Sequence, residues 1–419
     1  MSEKFQTVRG MRDFLPEQMR KKQWIEDTCR RVFEKYGFEP LQTPIIEDFG
    51  LLAKKGSGGE AVKEEIYYFK DKKNRELGLR FDLTVPLGRV VANNPTLPKP
   101  FKRYQIATVY RYDRPQAKRY REFTQADIDT VGSNNILTDF EFIAVAAEIM
   151  QQLKLNFYIT VSSRTLLEEI AKACSVKPEQ IVDCFRCLDK LDKIGENGVK
   201  EELKKCNIDS KILSLLKENN LEKIKSKVEN QKPVLEMKKL FELVNQSGLE
   251  KVVKLDLSLA RGLEYYTGPV FEVKIDNGPS VGGGGRYDKL VELYGGQATP
   301  ATGISFGVDR LVDALEEKIS IPSNAQVLVM AFSPAQQGMA LQTAQDLRKI
   351  GVNTELDLME RSVSKNSDFA KKKGVRFLVI IGEIEAQKGI VSVKDLKENK
   401  QFELKSNSSE LEKLKEMMG

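Results

Sequence analysis

Histidine is missing altogether from this 419-residue chain. That absence removes much catalytic machinery. There is no Ser-His-Asp triad, no imidazole general base and no histidine metal ligand. Chemistry here must use arginine, carboxylates, tyrosine or lysine, or rest on positioning and charge stabilisation. Long apolar runs are missing too, and none approaches the roughly 20 residues of a membrane-spanning helix. The opening stretch, MSEKFQTVRGMRDFLPEQ, has no apolar signal-peptide core. With only five cysteines, the expectation is a reducing cytoplasm, free thiols and no membrane partner. Neither sign of charge dominates: 67 Lys and Arg face 61 Asp and Glu, a net charge of +6. That permits a polyanionic partner without demanding one, because a lysine-rich solvated surface gives the same sum.

What is present is too long for one ordinary core, so two or three domains are expected. PEQMRKKQWIEDTCRRVFEKYG has helical spacing at Ile25, Cys29, Val32 and Phe33, with Pro16 near its start and Gly37 past its end. FEPLQTPIIEDFGLL reads as an extended segment interrupted by Pro40 and Pro44. IYYFKDKKNRELGLRFDLT reads as a hairpin, followed by two strand candidates over 101–115 and 120–132. A helix then carries Phe142, Ile143, Ala146, Ala147 and Met150 on its buried face, capped by Asn135 or Thr138. Up to about residue 160 the pattern is α+β, with no βαβ alternation. Residues 163–250 turn Lys/Glu/Leu-rich and helical, as an insertion. Strand character returns over 251–322, and 323–419 alternates strand and helix as an α/β domain.

Five segments can carry chemistry. The first, YRYDRPQAKRYREFTQADIDTVG, joins five cations, Arg111, Arg114, Lys118, Arg119 and Arg121, to an acidic alternating strand. Arginine's planar fork suits phosphate. In the strand, Gln125, Asp127 and Asp129 share one side. That row can bind an ammonium or imidazole group beside a phosphate. The second places Asp82 and Thr84 on one face of a strand, and the third, LARGLEYYTGPVFE, gathers Arg261, Tyr265 and Tyr266. The fourth is the run Gly282–Gly285, which lets a backbone approach a ligand or another strand closely. The fifth, TGISFGVDRL, puts Arg310 in the first turn of a helix. Cys184 and Cys187 form a CxxC near Cys174 and Cys206. A thiolate zinc site is conceivable, but Ile181, Cys184, Leu188 and Leu191 fit one buried helical face and no second CxxC exists. The plainer reading of each segment is a solvated hairpin, local hydrogen bonding, a tyrosine pair in a core, a non-specific glycine run and a surface arginine.

In this order the five segments resemble the histidyl-tRNA synthetase family of class II aminoacyl-tRNA synthetases, over nearly the whole chain. YGFEPLQTPIIED is similar to motif 1, VYRYDRPQAKRYREFTQ to motif 2 and TGISFGVDRL to motif 3. LARGLEYYTGPVFE and GGGGRYDKL resemble the two signatures particular to the family. The resemblance implies an α+β catalytic domain on an antiparallel class II synthetase sheet (1–162 and 251–322), a helical insertion (163–250) and a C-terminal α/β anticodon-binding domain (323–419). It implies ATP-dependent activation of L-histidine and transfer to tRNA(His), with Mg2+, by a cytoplasmic homodimer. Arg261 and Arg111 would be the catalytic cations. Histidine would meet Asp82, Leu83, Thr84, Arg111, Gln125, Asp129, Arg261, Tyr265 and Tyr266. ATP would meet Arg111, Arg119, Glu122, Phe123 and Arg310, and no protein-held metal is implied. The tRNA acceptor end would meet Arg114, Gln116 and Lys118. Thr124 stands where many relatives have an aromatic residue or histidine, and Asp82 and Asp129 where some have Glu. A synthetase-like, histidine-sensing regulatory paralogue is the alternative, but such proteins typically lose the C-terminal domain and ATP-site arginines kept here.

Overall fold

Alternating polarity and helical periodicity assemble two units, Met1–Ile319 and Ser320–Gly419. The structure, a computed structural model, describes residues 5–54, 64–112, 120–260, 265–276, 278–315 and 321–417. In the first unit the helix Pro16–Lys35 begins on Pro16, whose missing N–H costs a first turn nothing. It ends before Gly37, which takes φ +75° as the chain turns away. β1 (Glu39–Pro40) follows. β2 (Ile46–Asp48), β3 (Tyr68–Lys70) and β4 (Glu76–Leu79) form a small sheet ordered β2-β4-β3. The remaining strands are β5 (Phe101–Tyr110), β6 (Glu122–Val131), β7 (Phe157–Ser163), β8 (Val253–Leu255), β9 (Pro269–Ile275), β10 (Ser280–Arg286) and β11 (Ala301–Gly307). They make an eight-stranded sheet, β1-β5-β6-β11-β10-β9-β7-β8, parallel only at β1/β5 and β7/β8. This is an α+β arrangement.

One face of that sheet is apolar. Ala126, Ile128, Ile304 and Phe306 share a buried cluster with Ile25, Cys29, Val32 and Phe33 of the first helix. Phe142, Ile143, Ala146, Ala147 and Met150 of the helix Ile136–Gln152 join them. Phe33 lies 6.4 Å from Phe306 and 5.8 Å from Tyr104 between ring centroids. Burying each such side chain contributes roughly 1.5–3 kcal/mol. Asn135 caps the second helix by accepting from the Leu137 N–H at 3.0 Å. Helices between Arg164 and Gln246 pack into the same cluster through Leu166, Ile170, Met237 and Val244.

Three local expectations change. Residues 80–83 leave the sheet and a helix runs Thr84–Asn93, so Asp82 and Thr84 do not alternate on a strand. Phe49–Leu52 is a short helix capped by Asp48 rather than extended chain. Leu191 opens a second helix after Ile181–Leu188, so it does not continue that helix's face. Cys174, Cys184 and Cys187 are buried, Cys206 is half-buried, and the Cys187 and Cys206 sulfurs lie 4.0 Å apart. Among the described residues no group of three or more Cys, Asp or Glu is placed to hold a metal ion.

The second unit is a five-stranded sheet of β12 (Val327–Ala331), β13 (Thr354–Leu356), β14 (Phe377–Ile381), β15 (Ile390–Asp395) and β16 (Lys400–Lys405), ordered β13-β12-β14-β15-β16. Helices Gln337–Lys349 and Val363–Lys373 make the parallel crossovers among β12, β13 and β14. β15 and β16 then pair antiparallel, and a helix Glu383–Lys388 precedes them; sequence periodicity announced neither that helix nor β16. Among the described residues, no helix is long and apolar enough to cross a membrane.

Candidate functional site

The other face of the large sheet is polar, and strand register builds it. Across the strands, Gln105 of β5 opposes Asp127 of β6, which opposes Ser305 of β11. Ser305 opposes Gly283 of β10, Gly283 opposes Glu272 of β9, and Glu272 opposes Thr160 of β7. Directly opposed residues share a face, so this is one polar row. It underlies a cavity of about 370 Å³ whose lining includes Arg111, Phe123, Gln125, Tyr266, Ser305 and Arg310.

The glycine run serves this floor and the sheet at once. A side chain at Gly283 would meet only the Phe271 carbonyl, at 3.5 Å, so its bare backbone leaves the cavity open. Gly284 faces the other way, where a Cβ would sit 2.1 Å from the Gly303 carbonyl. The strand approach anticipated for the run is met at Gly284, while the bare backbone of Gly283 lines the cavity.

Each cation is held by its own scaffold. The Arg111 Nε donates to the Phe81 carbonyl at 2.9 Å, and its guanidinium lies 5.3 Å from the Phe123 ring centroid. Arg310, third residue of the helix Val308–Leu315, donates to the Ser280 carbonyl at 2.9 Å. Glu122 accepts from the Tyr110 hydroxyl at 3.3 Å and does not line the cavity. Arg114, Gln116, Lys118, Arg119 and Arg261 lie outside the described residues.

The predicted amino-acid residues divide into two sets. Gln125 and Tyr266 line the cavity. Asp82, Leu83, Thr84 and Asp129 are not among the residues lining it, and Asp129 and the Leu83 carbonyl hold a cation that the sequence had not singled out. Arg103 is fully buried, pairs with Asp129 at 2.5 Å and donates to the Leu83 carbonyl at 3.1 Å. The Tyr287 hydroxyl donates to the other Asp129 oxygen. Asp82 accepts from the Val85 N–H at 3.0 Å, which caps the helix beginning at Thr84. Burial pushes the Asp82 carboxyl up to about 6, against the opposing pull of that N–H and of Arg111. Burial pushes Asp127 up to about 7, with Arg103 opposing and Asp129 adding to the shift. Asp129 also rises, again through burial, with Arg103 and Tyr287 opposing. Tyr265 stacks on Tyr287 at 5.3 Å, meets Tyr266 edge-on, and lines a neighbouring cavity with it. Within GGGGRYDKL the polar side chains are props: Arg286 binds Asp139 and Glu236, and Tyr287 binds Asp129.

Sequence reasoning also missed Arg12. Its guanidinium donates to the Tyr120 hydroxyl at 2.6 Å, to Asp313 at 3.0 Å and to Asp309 at 3.2 Å. Asp309 accepts in turn from the Thr124 N–H at 2.7 Å. Arg12 thus ties the N-terminal segment and Tyr120 to the helix carrying Arg310, and Asp309 of that helix is itself bonded to β6. The "RGMRDF" stretch held the signal only as an arginine near Phe14; its partners lie 108 to 301 residues away.

A family model described as histidyl-tRNA synthetase matches residues 10–311, and one described as anticodon binding domain matches residues 326–416. The chain belongs to the histidyl-tRNA synthetase family. The histidine–tRNA ligase of Pyrococcus furiosus is 37% identical over 424 residues, covering 95% of this chain and 96% of that protein. That of Aeropyrum pernix is 38% identical over 402 residues, covering 92% of each. The crystal structure of histidyl-tRNA synthetase from Nostoc sp. PCC 7120 superposes with a TM-score of 0.89 at 32% identity, covering 99% of this chain and 100% of that one. A Bacillus halodurans chain described as an ATP phosphoribosyltransferase regulatory subunit/histidyl-tRNA synthetase shares the fold, with a TM-score of 0.77 at 23% identity and 91% of this chain covered.

Proposed function

We propose that this protein is a histidine–tRNA ligase: it activates L-histidine with ATP to histidyl-adenylate and transfers histidine to the 3′ end of tRNA(His). The observation that carries this is one cavity with Arg111 and Arg310 beside the aromatic Phe123, and Gln125 and Tyr266 along the same floor. Family membership supports the choice of amino acid. Retention of Arg111, Arg310 and the second unit weighs against a purely regulatory role.

The chemistry suits a chain without histidine. A substrate carboxylate oxygen attacks the α-phosphorus of ATP, a P–O bond forms, and the bond to the β-phosphate oxygen breaks to release pyrophosphate. The nucleophile is already ionised, so no protein base is needed. Catalysis is positioning plus cationic stabilisation of charge growing on the α-phosphate oxygens. Positioning alone can supply roughly 7–11 kcal/mol of barrier reduction. Arg111, braced by the Phe81 carbonyl, is the cation for that charge, and Arg261 is assigned the same role. Phe123 and Glu122 take the adenine, and Arg310 and Arg119 the outer phosphates. Gln125, Asp82 and Asp129 form the amino-acid end with Leu83, Thr84, Tyr265 and Tyr266. Arg114, Gln116 and Lys118 meet the tRNA acceptor end.

Mg2+ fits this site as a companion of the nucleotide. Among the described residues no acidic cluster could cage it, and Mg2+ favours one or two carboxylates plus substrate phosphates. Glu272, in the cavity lining, is the carboxylate that would share it. When bound it would neutralise charge on the phosphates of the nucleotide.

The domain division proposed is 1–162 with 251–322 for catalysis, 163–250 as the insertion and 323–419 for the anticodon. The protein is assigned to the cytoplasm as a homodimer; exposed Ile45, Ile46 and Tyr68 around the small sheet support pairing through the Pro44 segment. The deciding experiment is ATP–pyrophosphate exchange with each of the twenty amino acids. Exchange should depend on histidine, and the same preparation should sediment as a dimer. Exchange with another amino acid, or with none, overturns the reading.

Arg12 gives a second expectation. Arg12→Ala removes the ties from the N-terminal segment to Asp309 and Asp313 of the helix carrying Arg310, so kcat/KM for ATP should fall roughly ten- to a hundredfold. Arg12→Lys should recover part of it. An unchanged ATP dependence would show that the Arg12 contacts only anchor the N-terminal segment.

A further inference from the structure

We infer that Arg80 is a positioning residue for adenylate formation: it splints the irregular segment 80–83 so that the Phe81 carbonyl holds Arg111 at the α-phosphate. The inference rests on the histidine-activating reading above and on the place given there to Arg111.

β4 ends at Leu79 and the next helix begins at Thr84, so residues 80–83 belong to neither. No ladder and no helical turn fixes the direction of their carbonyls. Yet the Phe81 carbonyl is the acceptor that braces the Arg111 Nε, at 2.9 Å. The contacts that hold this stretch converge on Arg80, which is buried. Its Nε donates to the Thr108 carbonyl at 2.9 Å. Its Nη1 donates to the Thr43 carbonyl at 2.8 Å and, at 3.4 Å, to that of Pro44. The backbone repeats the pattern. The Arg80 N–H donates to the Ile45 carbonyl, and the Arg80 carbonyl accepts from the Tyr110 N–H, each at 2.9 Å. Arg80 therefore lies between 43–45 and 108–110, and Arg111 is the next residue along.

These side-chain contacts are all to main-chain carbonyls, so the guanidinium fixes the path of two backbones. An apolar residue would fill the same space without the cost of burying a cation. What only the planar fork supplies is donors aimed in two directions at a fixed angle. One points to the segment that carries Pro44, the other to β5 three residues before Arg111. A lysine ammonium keeps the charge and one of these carbonyls, but it cannot hold both segments at once.

The test is histidine-dependent ATP–pyrophosphate exchange with the wild type, Arg80→Lys, Arg80→Met, Arg111→Ala and a double variant, Arg80→Lys with Arg111→Ala. Each is also melted thermally. Arg80→Lys should lower kcat about tenfold, because a displaced transition-state cation costs rate. KM for histidine and for ATP should each stay within about threefold of wild type. Arg80→Met, which loses the charge as well, should fall at least as far. The double variant should lie within about twofold of Arg111→Ala alone, because Arg80 acts through Arg111. A residue that only held the fold would multiply its loss on that of Arg111→Ala. A kcat within about twofold of wild type in Arg80→Lys overturns the inference, as do losses that multiply or an effect confined to KM. Should Arg80→Met fail to fold, Arg80→Lys decides alone. Failure of Arg80→Lys to fold makes the residue structural and overturns the inference too. Arg111→Ala that keeps more than about a tenth of wild-type exchange defeats the reading of Arg111 itself. A damaging Arg111→Ala beside harmless Arg80 variants defeats only the role of Arg80.

Discussion

Arg111→Ala is expected to lower histidine-dependent ATP–pyrophosphate exchange about a thousandfold, at the upper end of what one preorganised donor supplies. Two features support so large an effect. The guanidinium is fixed from one side by the Phe81 carbonyl and covered from another by Phe123, so it needs no reorganisation when charge develops. It also lines a partly enclosed cavity, where a cation acts more strongly than in water. Lysine should not rescue it, because an ammonium cannot make the fork's paired contacts, and Arg111→Lys should remain about a hundredfold down. The fold should be indifferent, since the side chain contributes one hydrogen bond and one ring contact. Equal thermal melts with lost exchange would locate the loss in the transition state. A loss of less than about tenfold would assign the α-phosphate charge to other arginines.

Arg103→Met should be the most damaging change to stability. The side chain is fully buried beside Asp129, and Asp127 and Asp82 also feel its charge. Methionine fills much of the volume but leaves buried carboxylates without their cation. Removing one partner of a buried pair costs about 3–5 kcal/mol, which lowers the melting temperature of the larger unit by about 10 °C. The sign of its pH dependence follows from the carboxylates. Asp82 and Asp127 already titrate near 6 and 7, above their ordinary value. The folded state therefore holds protons that the unfolded chain releases above about pH 4. Ionising these groups weakens the fold as pH rises through 6 and 7, and loss of Arg103 steepens that trend. The deficit should be largest at about pH 8 and shrink towards pH 5. Denaturation melts at the two pH values check it; equal deficits would mean that Arg103 acts through packing rather than charge.

How much of this was legible beforehand varies with range. The hairpin of β5 and β6 could be read from alternation, and the helix Ile136–Gln152 from its period and its Asn135 cap. Both signals lie between residues two to four apart. Asp82 and Thr84 also alternate on paper, yet the chain leaves β4 at Leu79 and starts a helix at Thr84. Nothing local marks that switch except the capping carboxylate of Asp82, which reads equally well as a strand residue. β16 and the helix Glu383–Lys388 are short and largely exposed, so they lacked an apolar stripe to announce them.

The sequence by itself determined the chemical vocabulary of this protein. With no histidine, and with arginines and carboxylates ordered along five recognisable segments, positioning and charge were the available means of catalysis. It also determined that Gln125, Asp127 and Asp129 share a face, because strand geometry has period two. Only the tertiary structure decided what each of the three meets. Register across β5, β6 and β11 sets Asp129 opposite Arg103 and Asp127 opposite Ser305, and Gln125 lines the cavity. Three similar positions acquire three different tasks because a side chain's partner across a sheet depends on strand pairing, and pairing is fixed by segments far apart in the chain.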